Sequence, residues 1–216
     1  MSRILVINPN ATETCTAAID RAAAPFRLSG GPRVDCLTNA DGPPGIQSQA
    51  DSDSVIPHLH AICQREAADA YVIACFSDPG VHSLRERTGR PVFGIAEAGM
   101  AAALSLGERF GVVAILPSSV ARQRRTVRAY GLGERYAASR SIGLGVPELA
   151  DAKRTRAAMI DAGKRLRDED GADVLILGCA GMADQRDPLA DATGLPVVEP
   201  SQAALARAIG AVLQGW

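Results

Sequence analysis

Lysine is nearly absent from this chain of 216 residues, because only Lys153 and Lys164 occur among its 23 Lys and Arg residues. The sequence has no block of basic residues, and its formal net charge is −1 at pH 7. A protein that binds the phosphates of nucleic acid needs a concentrated positive surface. The composition therefore argues against nucleic acid as a partner.

Long apolar runs are missing as well. No segment approaches the roughly 18 uninterrupted apolar residues that a membrane-spanning helix requires. The chain opens with a short apolar run at residues 4–7, which is too brief for a signal peptide and has no cleavage-site pattern. We therefore expect no membrane association and a cytoplasmic location.

Metal-binding and disulfide patterns are also lacking. The five cysteines are an odd number at irregular spacing without a C-x-x-C pair, so neither a disulfide framework nor a zinc ribbon is indicated. Two of the three histidines, His58 and His60, form an H-x-H pair that a helix would point in different directions. We expect no metal site.

Short apolar runs alternate with longer stretches rich in Ala, Arg and Glu. This alternation is typical of an α/β fold with mostly parallel sheets covered by helices on both faces. The predicted strands lie near residues 4–7, 71–74, 92–95, 112–116, 174–177 and 196–198. The predicted helices lie near residues 12–25, 51–68, 97–107, 118–130, 151–169, 182–192 and 200–213.

The order of elements in residues 3–100 recurs in residues 109–213. The clearest repeat aligns ADAYVIAC at residues 68–75 with ADVLILGC at residues 172–179, which places Cys75 and Cys179 104 positions apart. An internal duplication predicts two α/β halves, residues 1–96 and 97–216, in one compact domain. The C-terminal helix is a candidate to close the first half. Ligands of such sheets bind beyond the carboxyl ends of the strands, so we expect a cleft between the halves.

Cys75 and Cys179 each follow a buried strand and precede a turn into a helix. A thiol at that place feels the positive end of the helix dipole. A single cysteine there is most simply a core residue. Two thiols at equivalent positions of duplicated halves instead approach one cleft from opposite sides.

Two opposed thiols suit the inversion of a carbon stereocentre. One thiolate removes a proton from one face of the carbon, and the other thiol returns a proton to the opposite face. Racemases that use pyridoxal phosphate need a lysine in the pocket. Both lysines of this chain lie in a predicted solvent-facing helix with several arginines, so we expect a reaction without a cofactor.

Several segments together resemble the hydantoin/allantoin racemase branch of the aspartate/glutamate racemase superfamily. These segments are Asn8-Pro9-Asn10, residues 72–80 (VIACFSDPG), residues 94–98 (GIAEA) and residues 177–183 (LGCAGMA). The resemblance covers nearly the whole chain. It implies two flavodoxin-like halves related by pseudo-twofold symmetry and racemisation without a cofactor by Cys75 and Cys179.

The residues after each cysteine point to a cyclic ureide as substrate. Aspartate and glutamate racemases usually carry Asn-Thr after each catalytic cysteine, whereas this chain has Phe76-Ser77 and Ala180-Gly181. A 5-substituted hydantoin, allantoin included, has an acidic C–H beside a carbonyl. The predicted substrate contacts are Asn8, Asn10, Ile46, Phe76, Ser77, Ser118, Ser119, Ala180 and Gly181.

The remaining features allow other interpretations. Ile46 belongs to a loop, residues 42–51, that resembles a family loop at the cleft mouth. In the family, that loop often carries His and Tyr where this chain has Gln49 and Ala50. Cys15, Cys36 and Cys63 have no counterpart in the repeat, and we treat them as structural. The Ala-rich helices near 97–107 and 118–130 favour a homo-oligomer.

Three alternatives stay open. An amino-acid racemase acting on aspartate or glutamate and a maleate cis-trans isomerase would keep the same cleft and belong to the same superfamily. A two-lobed module that binds a small molecule without turnover is the alternative from another class. The two strand-end thiols speak against that last possibility.

Overall fold

A computed structural model describes residues 2–216 and contains two parallel sheets of four strands. The first sheet has the order β2-β1-β3-β4, and the second has the equivalent order β6-β5-β7-β8. The strands are β1 (Arg3–Asn8), β2 (Arg33–Thr38), β3 (Ala70–Ile73), β4 (Val92–Gly94), β5 (Phe110–Ala114), β6 (Tyr136–Ser141), β7 (Val174–Leu177) and β8 (Val197–Val198).

Helices alternate with these strands along the chain. They are α1 (Glu13–Ala23), α2 (Gln49–Ser54), α3 (Ile56–Arg65), α4 (Val81–Thr88), α5 (Ile95–Ala103), α6 (Pro117–Ala129), α7 (Ala152–Asp168), α8 (Arg186–Thr193) and α9 (Pro200–Gln214). Short 3₁₀ helices occur at Val146–Ala150 and Ala180–Gln185, and two more lie on the surface. The predicted α/β fold of two similar halves is confirmed.

The inner strands form the core because both faces of each sheet are covered. Ile4, Leu5, Val6 and Ile7 of β1 are fully buried between β2 and β3. Continuous apolar runs of this kind are what a parallel strand covered on both faces requires. β1 and β5 therefore anchor the two halves, and the loops at their carboxyl ends are held in fixed positions.

The repeat of strands and helices makes α5 the last helix of the first half and α9 the last helix of the second. Each of them packs against the sheet of the other half. α9 lies against β3 and β4, whereas α5 lies against β7. The two helices also contact each other closely, since a Cβ atom at Gly99 of α5 would lie 3.0 Å from Cβ of Pro200 in α9. The predicted boundary between residues 96 and 97 falls inside the first turn of α5.

The structure adds three elements that the apolar pattern did not indicate. β2 and β6 are edge strands of partly exposed residues, with sequences RVDCLT and YAASRS, so neither shows a buried apolar run. α4 buries only Val81 and Leu84. The helix predicted at 51–68 is two helices that meet at Val55. In the part of the chain that the structure describes, no helix combines the length and apolar character needed to span a membrane.

Candidate active site

A small cavity of about 40 Å³ lies beyond the carboxyl ends of both sheets. Its walls come from both halves, since Cys75 follows β3 and Cys179 follows β7. Both thiols therefore line one cavity, although each lies at the end of a strand of a different sheet.

The Cys75 thiol is supported by a chain of two hydroxyl groups. Its Sγ lies 3.2 Å from Oγ of Ser77, and the buried Ser52 donates to Ser77 Oγ at 3.1 Å. Because Ser77 accepts from Ser52, its own proton is free to point toward the sulfur. Burial raises the pKa of Cys75, and the Ser77 hydrogen bond and the positive charge of Arg122 oppose that rise. The pKa of Cys75 stays above its usual value, because burial outweighs these two effects.

The Cys179 thiol has a different environment. Burial raises its pKa well above the usual value for cysteine, and the nearby Cys15 adds to that effect. The backbone N–H of Gly181 acts in the opposite direction. Cys179 is therefore held in its protonated form.

Most of the predicted contact residues reach the cavity. The ones that line it with the two cysteines are Asn10, Ile46, Phe76, Ser77, Ser119 and Ala180.

Three predicted contacts lie elsewhere. Asn8 is fully buried, and its amide donates to Asn10 Oδ1 at 3.1 Å and to Thr16 Oγ1 at 3.0 Å. Ser118 is exposed and donates to the carbonyl oxygen of Gln47 at 3.1 Å. Gly181 lines a neighbouring cavity, and its backbone acts on Cys179. These residues hold the walls of the cavity in place.

One face of α6 forms a wall that the sequence analysis missed. Ser119, Arg122, Gln123 and Thr126 all line the cavity, at the i, i+3, i+4 and i+7 positions that share one face of a helix. Only Ser119 was predicted. Helical spacing from Ser119 was the available signal, because it identifies the three others once that serine is placed at the cleft.

Cys15 of α1 also lines the cavity, although the sequence analysis treated it as structural. Asn10 donates weakly to its Sγ at 3.9 Å. Burial raises the pKa of Cys15 to about 11, so its thiol stays neutral at physiological pH. A Cβ atom at Gly181 would lie 3.6 Å from Sγ of Cys15 and 3.8 Å from Sγ of Cys179. Cys15 is therefore a neighbour of Cys179 rather than a distant core residue.

Two loops cover the cavity, residues 42–51 after β2 and residues 143–150 after β6. They touch closely, since a Cβ atom at Gly45 would lie 2.8 Å from Cβ of Val146. Ile46 of the first loop and Val146 of the second line the cavity. Gln47 fixes the first loop to the second half, because its carbonyl oxygen accepts a hydrogen bond of 2.6 Å from Arg122 Nη1.

The departure from the family pattern at Gln49 and Ala50 lies outside the cavity. Both residues belong to the first turn of α2 and are exposed. Gln49 accepts a hydrogen bond from Arg125 Nη2 at 3.1 Å. The loop therefore shapes the cavity through Ile46.

Asp78 fixes the loop that follows Cys75. Its carboxylate accepts hydrogen bonds from the N–H groups of Ala96 and Glu97, at 2.9 and 2.8 Å, and from the Tyr130 hydroxyl at 3.2 Å. Its φ of 46° lies in the left-handed region. Burial raises the pKa of Asp78 to about 6. One carboxylate thus ties the Cys75 loop to the start of α5 and the end of α6.

Among residues 2–216, no group of three or more His, Cys, Asp or Glu side chains is arranged to hold a metal ion. The chemistry available in the cavity is that of thiols, hydroxyls, amides and the guanidinium of Arg122.

Comparison with known proteins agrees with this architecture. The family model described as Asp/Glu/hydantoin racemase matches residues 4–208. The chain belongs to this family. A hydantoin racemase of Pseudomonas sp. (strain NS671) is 36% identical over 201 residues, which cover 91% of this chain and 80% of that protein. A hydantoin racemase of Rhizobium meliloti is 37% identical over 209 residues, or 95% and 86% of the two chains.

Solved structures of the racemase family have the same fold. An allantoin racemase from Pseudomonas fluorescens superposes with a TM-score of 0.94 at 30% identity, covering 99% of this chain and 92% of that one. An allantoin racemase from Klebsiella pneumoniae gives 0.88 at 31% identity, with 100% and 89% covered. The predicted family is confirmed, and so is the prediction that the protein is an enzyme of the racemase class.

Proposed function

We propose that this protein racemises 5-substituted hydantoins, with allantoin in the same class, by proton transfer between Cys75 and Cys179. The observation that carries the proposal is the convergence of two strand-end thiols, one from each half, on a single small cavity. A flat ring between them would present opposite faces of C5 to the two sulfurs. That arrangement suits inversion at C5.

In the proposed reaction, one cysteine acts as a thiolate and the other as a thiol. The thiolate removes the C5 proton, and the electron pair left on C5 spreads into the adjacent C4 carbonyl. The second thiol then donates its proton to the opposite face of C5 and becomes the thiolate. The enantiomer formed can react in reverse, so neither an oxidant nor a cofactor enters the balance.

The rate enhancement asked of each group is ordinary. A positioned general acid or base contributes roughly 10²–10⁴-fold. The C–H of a hydantoin is already acidified by its carbonyl, so the remaining barrier is modest. Ser77 and Arg122 oppose the rise that burial causes in the pKa of Cys75, and in the proposed reaction they help stabilise its thiolate.

Support for a ureide over a free amino acid comes from two sources. The residues after the cysteines are Phe76-Ser77 and Ala180-Gly181 rather than the Asn-Thr of amino-acid racemases. The hydantoin racemases named above are 36% and 37% identical to this chain. By contrast, a glutamate racemase structure from Francisella tularensis is 16% identical with a TM-score of 0.76, and that likeness concerns the fold alone.

The direct test incubates each enantiomer of several 5-alkylhydantoins, 5-methylhydantoin among them, and of allantoin with the protein in D₂O, without added metal or pyridoxal phosphate. We expect loss of circular dichroism together with loss of the C5–H signal in the NMR spectrum. Aspartate, glutamate and maleate are assayed in parallel. Optical activity that decays only at the uncatalysed rate for all hydantoins and allantoin would contradict the proposed substrate class, and turnover of one parallel compound would identify the alternative.

A further inference from the structure

Gln123 of α6 carries a buried polar atom without a partner. The residue is only 4% exposed, and no donor among residues 2–216 reaches its Oε1 atom. Buried acceptors nearly always have a donor in folded proteins, because an unpaired one is costly. An exception at a cavity wall points to a ligand that supplies the missing donor.

The Gln123 amide lies next to Gly178. A Cβ atom at Gly178 would lie 2.9 Å from Nε2 of Gln123 and 2.5 Å from the carbonyl oxygen of Val113. Only glycine leaves room for both. Since Gly178 directly precedes Cys179, the amide lies beside the backbone that presents the second thiol, and Gln123 itself lines the cavity.

The two other buried polar atoms without partners in the described chain are Nδ1 of His60 and Oγ of Ser201. Neither residue lines this cavity. Gln123 is therefore the residue, among those described, in which an unpaired buried acceptor coincides with the site of the two thiols.

We infer that Oε1 of Gln123 accepts a hydrogen bond from a ring N–H of the cyclic ureide. This inference deepens the proposed function and rests on it. A hydantoin ring carries two N–H donors, N1–H and N3–H, and an amide oxygen is a matched acceptor for either. Holding one N–H beside Cys179 fixes the ring in its plane and sets C5 between the sulfurs. Gln123 is thus a binding residue that selects N–H-bearing rings.

The test uses ligands that bind but cannot racemise. 5,5-Dimethylhydantoin has no C5–H, and its 1-methyl and 3-methyl derivatives each lack one N–H donor. Calorimetric titration of the wild-type protein is expected to show at least about tenfold weaker binding of one methylated derivative. The variant Gln123→Met, which removes the acceptor at similar volume, should bind the parent ligand about tenfold more weakly and bind the two ligands alike.

Two further variants complete the comparison. Gln123→Glu retains an acceptor and should keep the preference for the N–H ligand, which also serves if the methionine variant fails to fold. Gln214→Met changes an exposed glutamine at the end of α9 and should match the wild type. A methionine variant that still prefers the N–H ligand, or a wild type that binds all three ligands equally, would overturn the inference alone. A wild type that binds none of them would overturn the proposed function as well.

Discussion

The two thiols of the cavity are chemically unequal. Cys75 has the Ser77 hydroxyl and the Arg122 charge beside it, whereas Cys179 has a second buried thiol, Cys15, and a backbone N–H. The duplication of the fold therefore did not duplicate the electrostatics. In the proposed reaction, the groups around Cys75 oppose the effect of burial on its pKa through a hydroxyl and a cation, whereas those around Cys179 do so through one backbone N–H.

The raised pKa values of the two thiols give a pH dependence with a definite sign. Burial raises the pKa of both thiols, so the thiolate fraction grows as pH rises, and kcat/KM should increase from neutral pH into the alkaline range. Ser77→Ala removes a donor that stabilises the thiolate of Cys75. We expect the alkaline rise to move upward by about one pH unit, as measured by the pH profile of kcat/KM.

The matched control is Ser83→Ala on α4. Its hydroxyl contacts His60 at 3.0 Å and the carbonyl of Gly80 at 3.0 Å, away from the cavity. The profile of that variant should coincide with the wild type. A Ser77→Ala profile that also coincides would show that the hydroxyl does not act on the sulfur.

At the scale of single residues, the sequence predicted the two cysteines because the repeat marks them twice. Arg122 and Gln123 carry no such mark. Whether a helical residue faces the cleft or the solvent depends on how the helix rotates against its sheet, and that rotation is set by tertiary packing. Cys15 also lines the cavity. The sequence did not indicate this, because Cys15 has no counterpart in the second half.

Among the elements, the two covering loops would limit the room for the 5-substituent of a hydantoin under the proposed function. Val146→Ala shortens a side chain at the cavity wall, so the ratio of kcat/KM for 5-benzylhydantoin to that for 5-methylhydantoin should rise about tenfold. The ratio is independent of the fraction of active protein. Val127→Ala makes the same change at a buried position outside the cavity, and its ratio should equal that of the wild type.

The contact between Asp78 and α5 requires glycine at position 94. A Cβ atom there would lie 2.2 Å from Cγ of Asp78. Gly94→Ala should therefore lower the free energy of unfolding by about 1–3 kcal/mol, measured by urea denaturation, and should reduce activity because the Cys75 loop moves.

Gly210→Ala is the control for that substitution. Its added Cβ would meet only Gln214 Nε2 at 3.9 Å, within α9. Alanine is favoured over glycine in a helix by about 0.8–1 kcal/mol, so this variant should be at least as stable as the wild type. Equal stability of both variants would contradict the role assigned to Gly94.

Element prediction found the four inner strands and the edge strands β4 and β8, and it missed the edge strands β2 and β6. Apolar runs identify β1, β3, β5 and β7, which are buried along their length. Edge strands such as β6 face solvent in part and read as polar segments. The break between α2 and α3 was missed because the two helices are nearly continuous and meet at Val55.

At the scale of the whole molecule, the exchange of α5 and α9 joins the halves. Neither sheet is fully covered by helices from its own half. We expect β1 and β5 to open with similar free energies in native-state hydrogen exchange followed by mass spectrometry. Protection that is lost in one half while the other stays closed would instead support two separable domains.

Self-association stays a prediction. The structure weakens one reason for it, the Ala-rich helix predicted near residues 97–107. The small residues of α5 are used within the chain, since Ala96, Ala98, Gly99 and Ala103 are buried and the helix packs against α9. Of the alanines on that helix, Ala101 and Ala102 alone stay partly exposed.

The most direct test of the two-thiol mechanism follows each enantiomer of 5-methylhydantoin in D₂O with Cys75→Ser and Cys179→Ser. Each variant should lose racemisation, because one face of C5 has no acid or base. Each should still exchange the C5 proton of a single enantiomer without inverting it, and the two variants should act on opposite enantiomers. Racemisation that persists in either variant, or exchange of the same enantiomer in both, would contradict proton transfer between two opposed cysteines.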